Sequence, residues 1–240
     1  MENDAMDDNG HGSNVAGVVG GLDDGIGYVG VAPGARLWSV KALNSKGSGS
    51  SEEIVNAIDR VTAHADEIEV ANISIGFDGT VQAINDAVNR AISKGIVVVV
   101  SAGNDHRDVS NQSPANVPDA ITVSSLCDAD GKPGGLGSFG RCNKNNKNTD
   151  DTLSDYSNFG RGVDIAAPGD CIRSTYKDGG YSNYSGTSQA APHVAGAAAR
   201  LTRGAAKPVD RAGVLAVRGR IVNTGIGKLD DATARVGTPG

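Results

Sequence analysis

The sequence predicts an α/β fold in which a doubly wound, mostly parallel central sheet is flanked by helices on both faces. Short β-branched runs alternate with longer amphipathic stretches along the 240 residues, the pattern of parallel strands joined by crossover helices. The longest apolar run, 96–100, lies between Gly95 and Gly103 and is typical of a strand buried on both faces. The 34 glycines suit the tight turns of such a fold. We expect a single domain over residues 1–240.

The strands and helices follow from the local patterns in chain order. Ser50 and Glu53 have capping-box spacing, which predicts that a helix starts there and runs to about His64. Gly95 ends a second helix, and a third is so rich in alanine and glycine that we expect it to be buried. Residues 128–155 break the alternation and are predicted to form a polar loop insert. The predicted strands are 36–43, 70–75, 96–101, 120–125 and 163–166, and the predicted helices are 51–64, 80–94, 187–203 and 209–220.

Charge and hydropathy argue against two classes of partner. The chain has 22 Lys and Arg against 28 Asp and Glu, a net charge of −6, and its basic residues are scattered. We therefore expect no nucleic-acid partner. No apolar run approaches the length that crosses a membrane, so we expect no membrane partner either.

The three cysteines allow at most one internal disulfide. A bridge between Cys142 and Cys171 would anchor the polar insert, and the absence of any bridge is the alternative. Cys127 follows a strand-like run, which favours the role of a small buried hydrophobic residue.

Two segments carry residues suited to nucleophilic catalysis. In residues 184–196, a glycine-led turn delivers Ser188 to the start of an Ala/Gly-rich helix. Backbone N–H groups and the positive end of the helix dipole converge at such a point and stabilise an anion formed there. In residues 9–17, His11 lies between two glycines at the start of another helix. A serine nucleophile and a histidine base are two parts of a hydrolytic triad.

Together these two segments resemble the subtilisin-like serine proteases, which carry similar His- and Ser-containing segments in the same order. Residues 30–35, 102–104 and 165–169 also match family segments in order. The resemblance extends from about residue 7 to about residue 230. It implies a serine endopeptidase in which Ser188 forms the acyl-enzyme and His11 is the general base. Gln189 stands where the family commonly has methionine.

The resemblance does not account for the triad acid. The family order is Asp, His, Ser, with the acid on a strand before the histidine, and only ten residues precede His11. We therefore expect a catalytic domain that lacks this strand and is poorly stable and nearly inactive as residues 1–240. Asp7 and Asp8 lie too close to His11 in sequence to reach behind its ring, and are expected to favour basic residues in a bound peptide.

The resemblance also implies roles for residues around the nucleophile. Asn104 would donate to the oxyanion together with the Ser188 N–H, although by its position alone it is also consistent with a turn at the end of a strand. Two segments would pair with an extended peptide on either side, and a third would line the specificity pocket near Gln112. These substrate-binding residues are Gly47, Ser48 and Gly49, then Ser74, Ile75 and Gly76, then Ala102 and Gly103.

A calcium ion is the cofactor that the resemblance implies. Residues 22–28 are similar to a family loop in which Leu22, Ile26 and Tyr28 would supply carbonyl oxygens and Asp24 a carboxylate, ligands that suit Ca²⁺. The Asp/Gly cluster at 128–131 is more typical of a turn.

The expected protein is secreted, acts on a polypeptide substrate and has an upstream pro-segment as inhibitor. Two alternatives stay open. One is a pseudoprotease that binds peptides without cutting them, and the other is an intracellular hydrolase of the same fold that acts on a non-peptide ester.

Overall fold

The structure is a computed structural model that describes residues 5–132, 134–138 and 149–225. Within these residues it contains five helices and nine strands. The helices are α1 (His11–Gly20), α2 (Ser51–Ala63), α3 (Gln82–Ser93), α4 (Thr187–Leu201) and α5 (Arg211–Thr224). The strands are β1 (Val70–Ile73), β2 (Phe77–Asp78), β3 (Val97–Ser101), β4 (Gln112–Ser113), β5 (Ile121–Cys127), β6 (Thr152–Leu153), β7 (Ile165–Pro168), β8 (Ile172–Thr175) and β9 (Tyr181–Tyr184).

The central sheet is mostly parallel, and the predicted fold class is confirmed. β1 pairs with β3, β3 with β5 and β5 with β7, all in parallel, while β6 joins β5 in antiparallel orientation. Every side chain of the central run Val97–Ser101 is buried. Because neighbouring side chains of a strand point to opposite faces, both faces of the sheet are covered. α4 packs on β1, β3 and β5, and α3 and α5 also contact β3.

The predicted helices all form, with ends that shift by up to four residues. Ser50 and Glu53 make the expected capping box at the start of α2, with both reciprocal hydrogen bonds present. The α4 stretch is buried as expected. The sequence did not predict the two-stranded ribbon of β2 and β4 or the hairpin of β8 and β9.

The strand predicted at 36–43 is wrong. This segment is extended, but within the described residues no ladder joins it to a strand, and Leu37 and Trp38 are 48% and 41% exposed. A cavity of about 1250 Å³ is lined by this segment on one side and by β1 on the other. The segment has β-forming residues but lies beside the cavity, where no strand of the described part of the chain pairs with it. We call the space between 36–43 and β1 the slot.

The cysteines separate into two environments. Cys127 is free and buried in β5, as expected from its position. Cys171 is disulfide-bonded, whereas Cys142 lies outside the described residues. Among the described residues, no helix combines the length and the apolar character needed to cross a membrane.

Candidate active site

Ser188 is the second residue of α4 and is held from the end of β1. Its Oγ donates to the carbonyl oxygen of Ser74 at 3.3 Å. In return, the Ser74 Oγ donates to the Ser188 carbonyl at 2.8 Å. The first N–H groups of a helix have no partner inside the helix. Here the Thr187 N–H donates to Asn104, and the Gln189 and Ala190 N–H groups donate to the Gly186 carbonyl. Among the described residues, the half-buried Ser188 hydroxyl therefore lies beside one free backbone donor of this turn, its own N–H, and beside the positive end of the α4 dipole.

Asn104 presents its amide beside this turn. Its Oδ1 accepts from the N–H and from the Oγ1 of Thr187, both at 2.9 Å. A backbone N–H can only donate, so these bonds fix which end of the Asn104 amide faces Thr187. The Nδ2 group lies on the other side, 3.4 Å from the point that a Cβ on Gly186 would occupy. Because no described residue accepts a hydrogen bond from Nδ2, this amide is a free donor next to the nucleophile.

Asn158 fixes the loop that carries Asn104, a role the sequence did not predict. It is fully buried and its Nδ2 donates to the Ala102 carbonyl at 2.9 Å. Its Oδ1 accepts from the N–H groups of Asp105 and Arg107 at 3.0 and 3.1 Å. Gly103 lies within this loop at φ 104°, and a Cβ there would collide with the Asn158 amide. The close approach of the loop to Asn158 therefore requires glycine.

His11 begins α1 and lies in a partly buried position. Burial lowers the pKa of His11, and the negative charge of Asp7 opposes this effect. Within the described residues, the imidazole makes no hydrogen bond to Ser188 or to a carboxylate; the serine hydroxyl points to Ser74 instead. Asp8 is exposed and pairs with Lys41 at 2.9 Å. Its carboxylate is therefore engaged away from the imidazole.

Hydroxyl groups of the β8–β9 hairpin donate to backbone carbonyl groups of the segment around His11. The Tyr176 hydroxyl donates to the Asn9 carbonyl at 3.1 Å, and the Thr175 Oγ1 donates to the Ser13 carbonyl at 2.7 Å. Gly10, between these two points, has φ 106°, and a Cβ there would collide with the Tyr176 ring. The hairpin thus fixes the backbone on both sides of the histidine.

The substrate-binding residues predicted from sequence fall near these groups. Gly47 lies beside Asn9, whose Nδ2 donates to the Ser45 carbonyl at 3.1 Å, so the loop 47–49 borders the histidine segment. Ser74, Ile75 and Gly76 follow β1 and reach the nucleophile through Ser74. Gly76 and Gly103 both approach the buried Gln112 side chain, so the structure brings Gln112 together with the predicted pocket.

The predicted calcium loop is an exposed turn. The Asp24 Oδ1 accepts from the Ile26 N–H at 3.0 Å, and Leu22, Ile26 and Tyr28 are exposed. A separate group of carboxylates, Asp128, Asp150 and Asp151, has oxygens within 4.8 Å of one another. These carboxylates accept hydrogen bonds from backbone N–H groups of the insert, so they organise its turns, as expected for 128–131.

Comparisons with known proteins point to one family. Residues 1–237 match the Subtilase family. Alkaline serine exoprotease A of Vibrio alginolyticus is 39% identical over 196 residues, which cover 82% of this chain and 32% of that protein. Subtilisin Savinase of Lederbergia lenta is 37% identical over 82% of this chain and 65% of that protein. The chain thus spans between a third and two thirds of these relatives.

A solved structure shares the fold as well. The crystal structure of a cold adapted subtilisin-like serine proteinase is 35% identical and superimposes with a TM-score of 0.74, covering 90% of this chain and 68% of that one.

Proposed function

Because the chain belongs to the subtilase family, we propose that it supplies the nucleophile, the base and the oxyanion donors of a serine endopeptidase. The observation that carries this proposal is the free Nδ2 of Asn104 beside Ser188, with its Oδ1 held by Thr187. A donor fixed in advance where negative charge develops is the main requirement of acyl transfer.

The proposed reaction uses these groups in turn. The Ser188 Oγ turns from the Ser74 carbonyl toward His11, loses its proton to the imidazole and attacks the peptide carbonyl. The Asn104 Nδ2 and the Ser188 N–H stabilise the oxyanion. The imidazolium then protonates the leaving amine, and water attacks the acyl-enzyme in a second step with His11 again as base. Burial lowers the pKa of His11, which keeps the imidazole neutral and able to accept the proton at neutral pH.

We further propose that the triad acid is delivered by a strand seated in the slot. Three features support this proposal. The slot separates β1 from the extended segment 36–43. Among the described residues, the edge of β1 that faces the slot is unpaired, and the buried Asn72 Oδ1 at its wall has no hydrogen-bond partner. An unpaired strand edge readily accepts another strand. Without such a carboxylate, residues 1–240 would cleave peptides poorly. A protein that binds peptides without cutting them at all is the pseudoprotease alternative.

A labelling experiment tests the proposal. Residues 1–240 are compared with a form in which a strand ending in Asp is fused before Met1, and each carries Ser188 or the Ser188→Ala substitution. We expect the fused Ser188 form to react with a fluorophosphonate and to hydrolyse a peptide. We expect residues 1–240 to be slower by about 10⁴-fold, as for subtilisin without its acid.

Two outcomes would contradict these proposals. Hydrolysis that persists in Ser188→Ala would exclude the serine mechanism. Equal activity of both Ser188 forms would exclude the slot as the site of the acid.

Calcium binding, secretion and control by a pro-segment are parts of the same proposal. The loop 22–28 is closed by a hydrogen bond from the Gly30 N–H to the Gly21 carbonyl at 2.9 Å and offers the Asp24 carboxylate and surface carbonyl groups. These are the oxygen ligands that Ca²⁺ prefers. The disulfide at Cys171 supports an oxidising compartment. An inhibitory pro-segment is the partner that a secreted protease of this kind would need before release.

A further inference from the structure

The turn before α1 is closed by a carboxylate that the proposed reaction does not use. Gly10, the residue that caps α1, has no side chain to accept the first N–H groups of the helix, and no acidic residue lies in the first turn. The carboxylate of Asp7 takes this role from three residues earlier. Its Oδ1 accepts from the N–H groups of Asn9 and Gly10 at 3.0 and 2.7 Å, and its Oδ2 accepts from the Ser13 N–H at 2.7 Å.

We propose that Asp7 is a positioning residue for His11. The three N–H groups that it binds lie on both sides of the histidine, so one carboxylate fixes the backbone from which the imidazole projects. The carboxylate also lies close to the first turn, because a Cβ on Gly12 would be 3.6 Å from its Oδ2. Hydrogen bonds to an ionised acceptor are stronger than neutral ones, and a negative charge at a helix N-terminus is favourable.

The titration of Asp7 agrees with this geometry. Partial burial by itself would raise its pKa, but the hydrogen bonds from Gly10, Ser13 and Asn9 lower the pKa to about 2. Asp7 is therefore ionised at every pH at which the imidazole titrates. Since the folded-state pKa lies below the ordinary value of 3.8, the stabilisation is complete above about pH 4 and is lost as the pH falls toward 2. The negative charge also raises the pKa of His11 against the effect of burial.

Asp8 provides a matched control in the next position of the chain. Its carboxylate pairs with Lys41 and is exposed, and it accepts no N–H of the α1 turn among the described residues. Three other polar side chains near the turn before α1 have hydrogen-bond acceptors of their own. The Lys177 Nζ donates to the Asp8 carbonyl, the Tyr176 hydroxyl to the Asn9 carbonyl, and the Tyr184 hydroxyl to the Tyr176 hydroxyl. Asp7 and Asp8 therefore differ in contact with the turn but not in charge.

The proposal rests on the role of His11 as the base, and its test needs no turnover. In ¹⁵N-labelled residues 1–240, the imidazole of His11 is titrated by NMR, with His11→Gln to assign its signals, in Asp7→Asn, Asp7→Ser and Asp8→Asn. We expect both Asp7 variants to lower the pKa of His11. We also expect the Ser13 amide of Asp7→Asn to exchange about tenfold faster, because a bond to a charged acceptor is lost.

The Ser and Asn variants separate geometry from charge. An asparagine at position 7 keeps the shape and one oxygen acceptor of the aspartate, whereas the shorter serine hydroxyl cannot reach the Ser13 N–H. We therefore expect the Ser13 amide to be protected no better in Asp7→Ser than in Asp7→Asn, while the pKa of His11 falls in both. Asp8→Asn should change neither quantity. Unchanged titration in both Asp7 variants, an equal shift in Asp8→Asn, or loss of the folded state in both Asp7 variants would overturn the proposal. A failure of peptide hydrolysis would count against the proposed function alone.

Discussion

The serine half and the histidine half of the candidate site are supported in different ways. Ser188 lies in the first turn of α4 and Asn104 follows β3, and their partners Ser74 and Asn158 are buried. His11 is the first residue of α1 and lines the cavity of the slot, and the backbone around it is held by Asp7 and by the hydroxyl groups of a hairpin. The oxyanion donors are thus held by buried residues, whereas the base depends on partly exposed contacts.

This difference predicts how the two halves respond to change. A donor held by a buried network costs no reorganisation during the reaction, but loss of its support leaves buried polar groups without partners. A turn held by partly exposed hydrogen bonds tolerates the loss of any one of them, because water can take the place of the missing partner.

The largest effect on the serine half is expected from Asn104→Leu. In a form that carries the triad acid, this change should lower kcat by about 10²–10³ and leave KM almost unchanged, because Nδ2 is needed mainly for charge that develops in the transition state. Steady-state kinetics on a peptide substrate measure both constants. A rise in KM with constant kcat would instead make Asn104 a substrate-binding residue.

Asn158→Ala and Tyr176→Phe compare the supports of the two halves directly. Asn158→Ala removes the partner of the buried Ala102 carbonyl and of two partly buried N–H groups, and should lower the free energy of unfolding by about 3 kcal/mol. Tyr176→Phe removes two partly buried hydrogen bonds, the one to the Asn9 carbonyl and the long one from Tyr184, and should lower the free energy of unfolding by about 1 kcal/mol. Urea unfolding of both variants measures the two decreases in the free energy of unfolding. Equal decreases would show that the two halves are supported equally.

The smallest effect is expected from peroxide. Gln189, next to the nucleophile, is buried and donates to the Asn14 Oδ1 at 3.2 Å, and an amide cannot form a sulfoxide as methionine does. Burial raises the pKa of the Cys127 thiol, and its hydrogen bond with Asp170 adds to this effect, so the reactive thiolate is scarce. Dilute peroxide should therefore leave the fluorophosphonate labelling of an acid-complete form intact, and rapid loss of labelling would contradict this.

The parts of the site that could be predicted from the sequence are those marked by a pattern of residues close together in the chain. The segments around His11 and Ser188 each combine a turn, a helix start and a reactive side chain within a few positions, and Asn104 directly follows a strongly apolar strand. Asn158 and Tyr176 could not be found in this way. Asn158 binds residues 51 to 56 positions away, and Tyr176 binds Asn9 across 167 positions, with no local pattern to mark either residue.

The wrong strand at 36–43 has a related cause. Its residues favour extended backbone, and the backbone is indeed extended, but a strand is defined by its neighbour as much as by its own residues. The local sequence indicates whether the backbone is extended, but it does not indicate whether another strand lies beside it. The same reasoning explains why the hairpin of β8 and β9 was missed, because its residues alternate only weakly in hydrophobicity.

The contact of Gly10 with the Tyr176 ring restricts which substitutions can be accepted together. Any side chain at position 10 would occupy the space of that ring, and φ 106° is strained for every residue except glycine. A chain with a smaller residue at position 176 would remove the steric part of this restriction and leave only the backbone strain. Among relatives, positions 10 and 176 are therefore expected to vary as a pair, with a non-glycine residue at the first accompanied by a smaller side chain at the second.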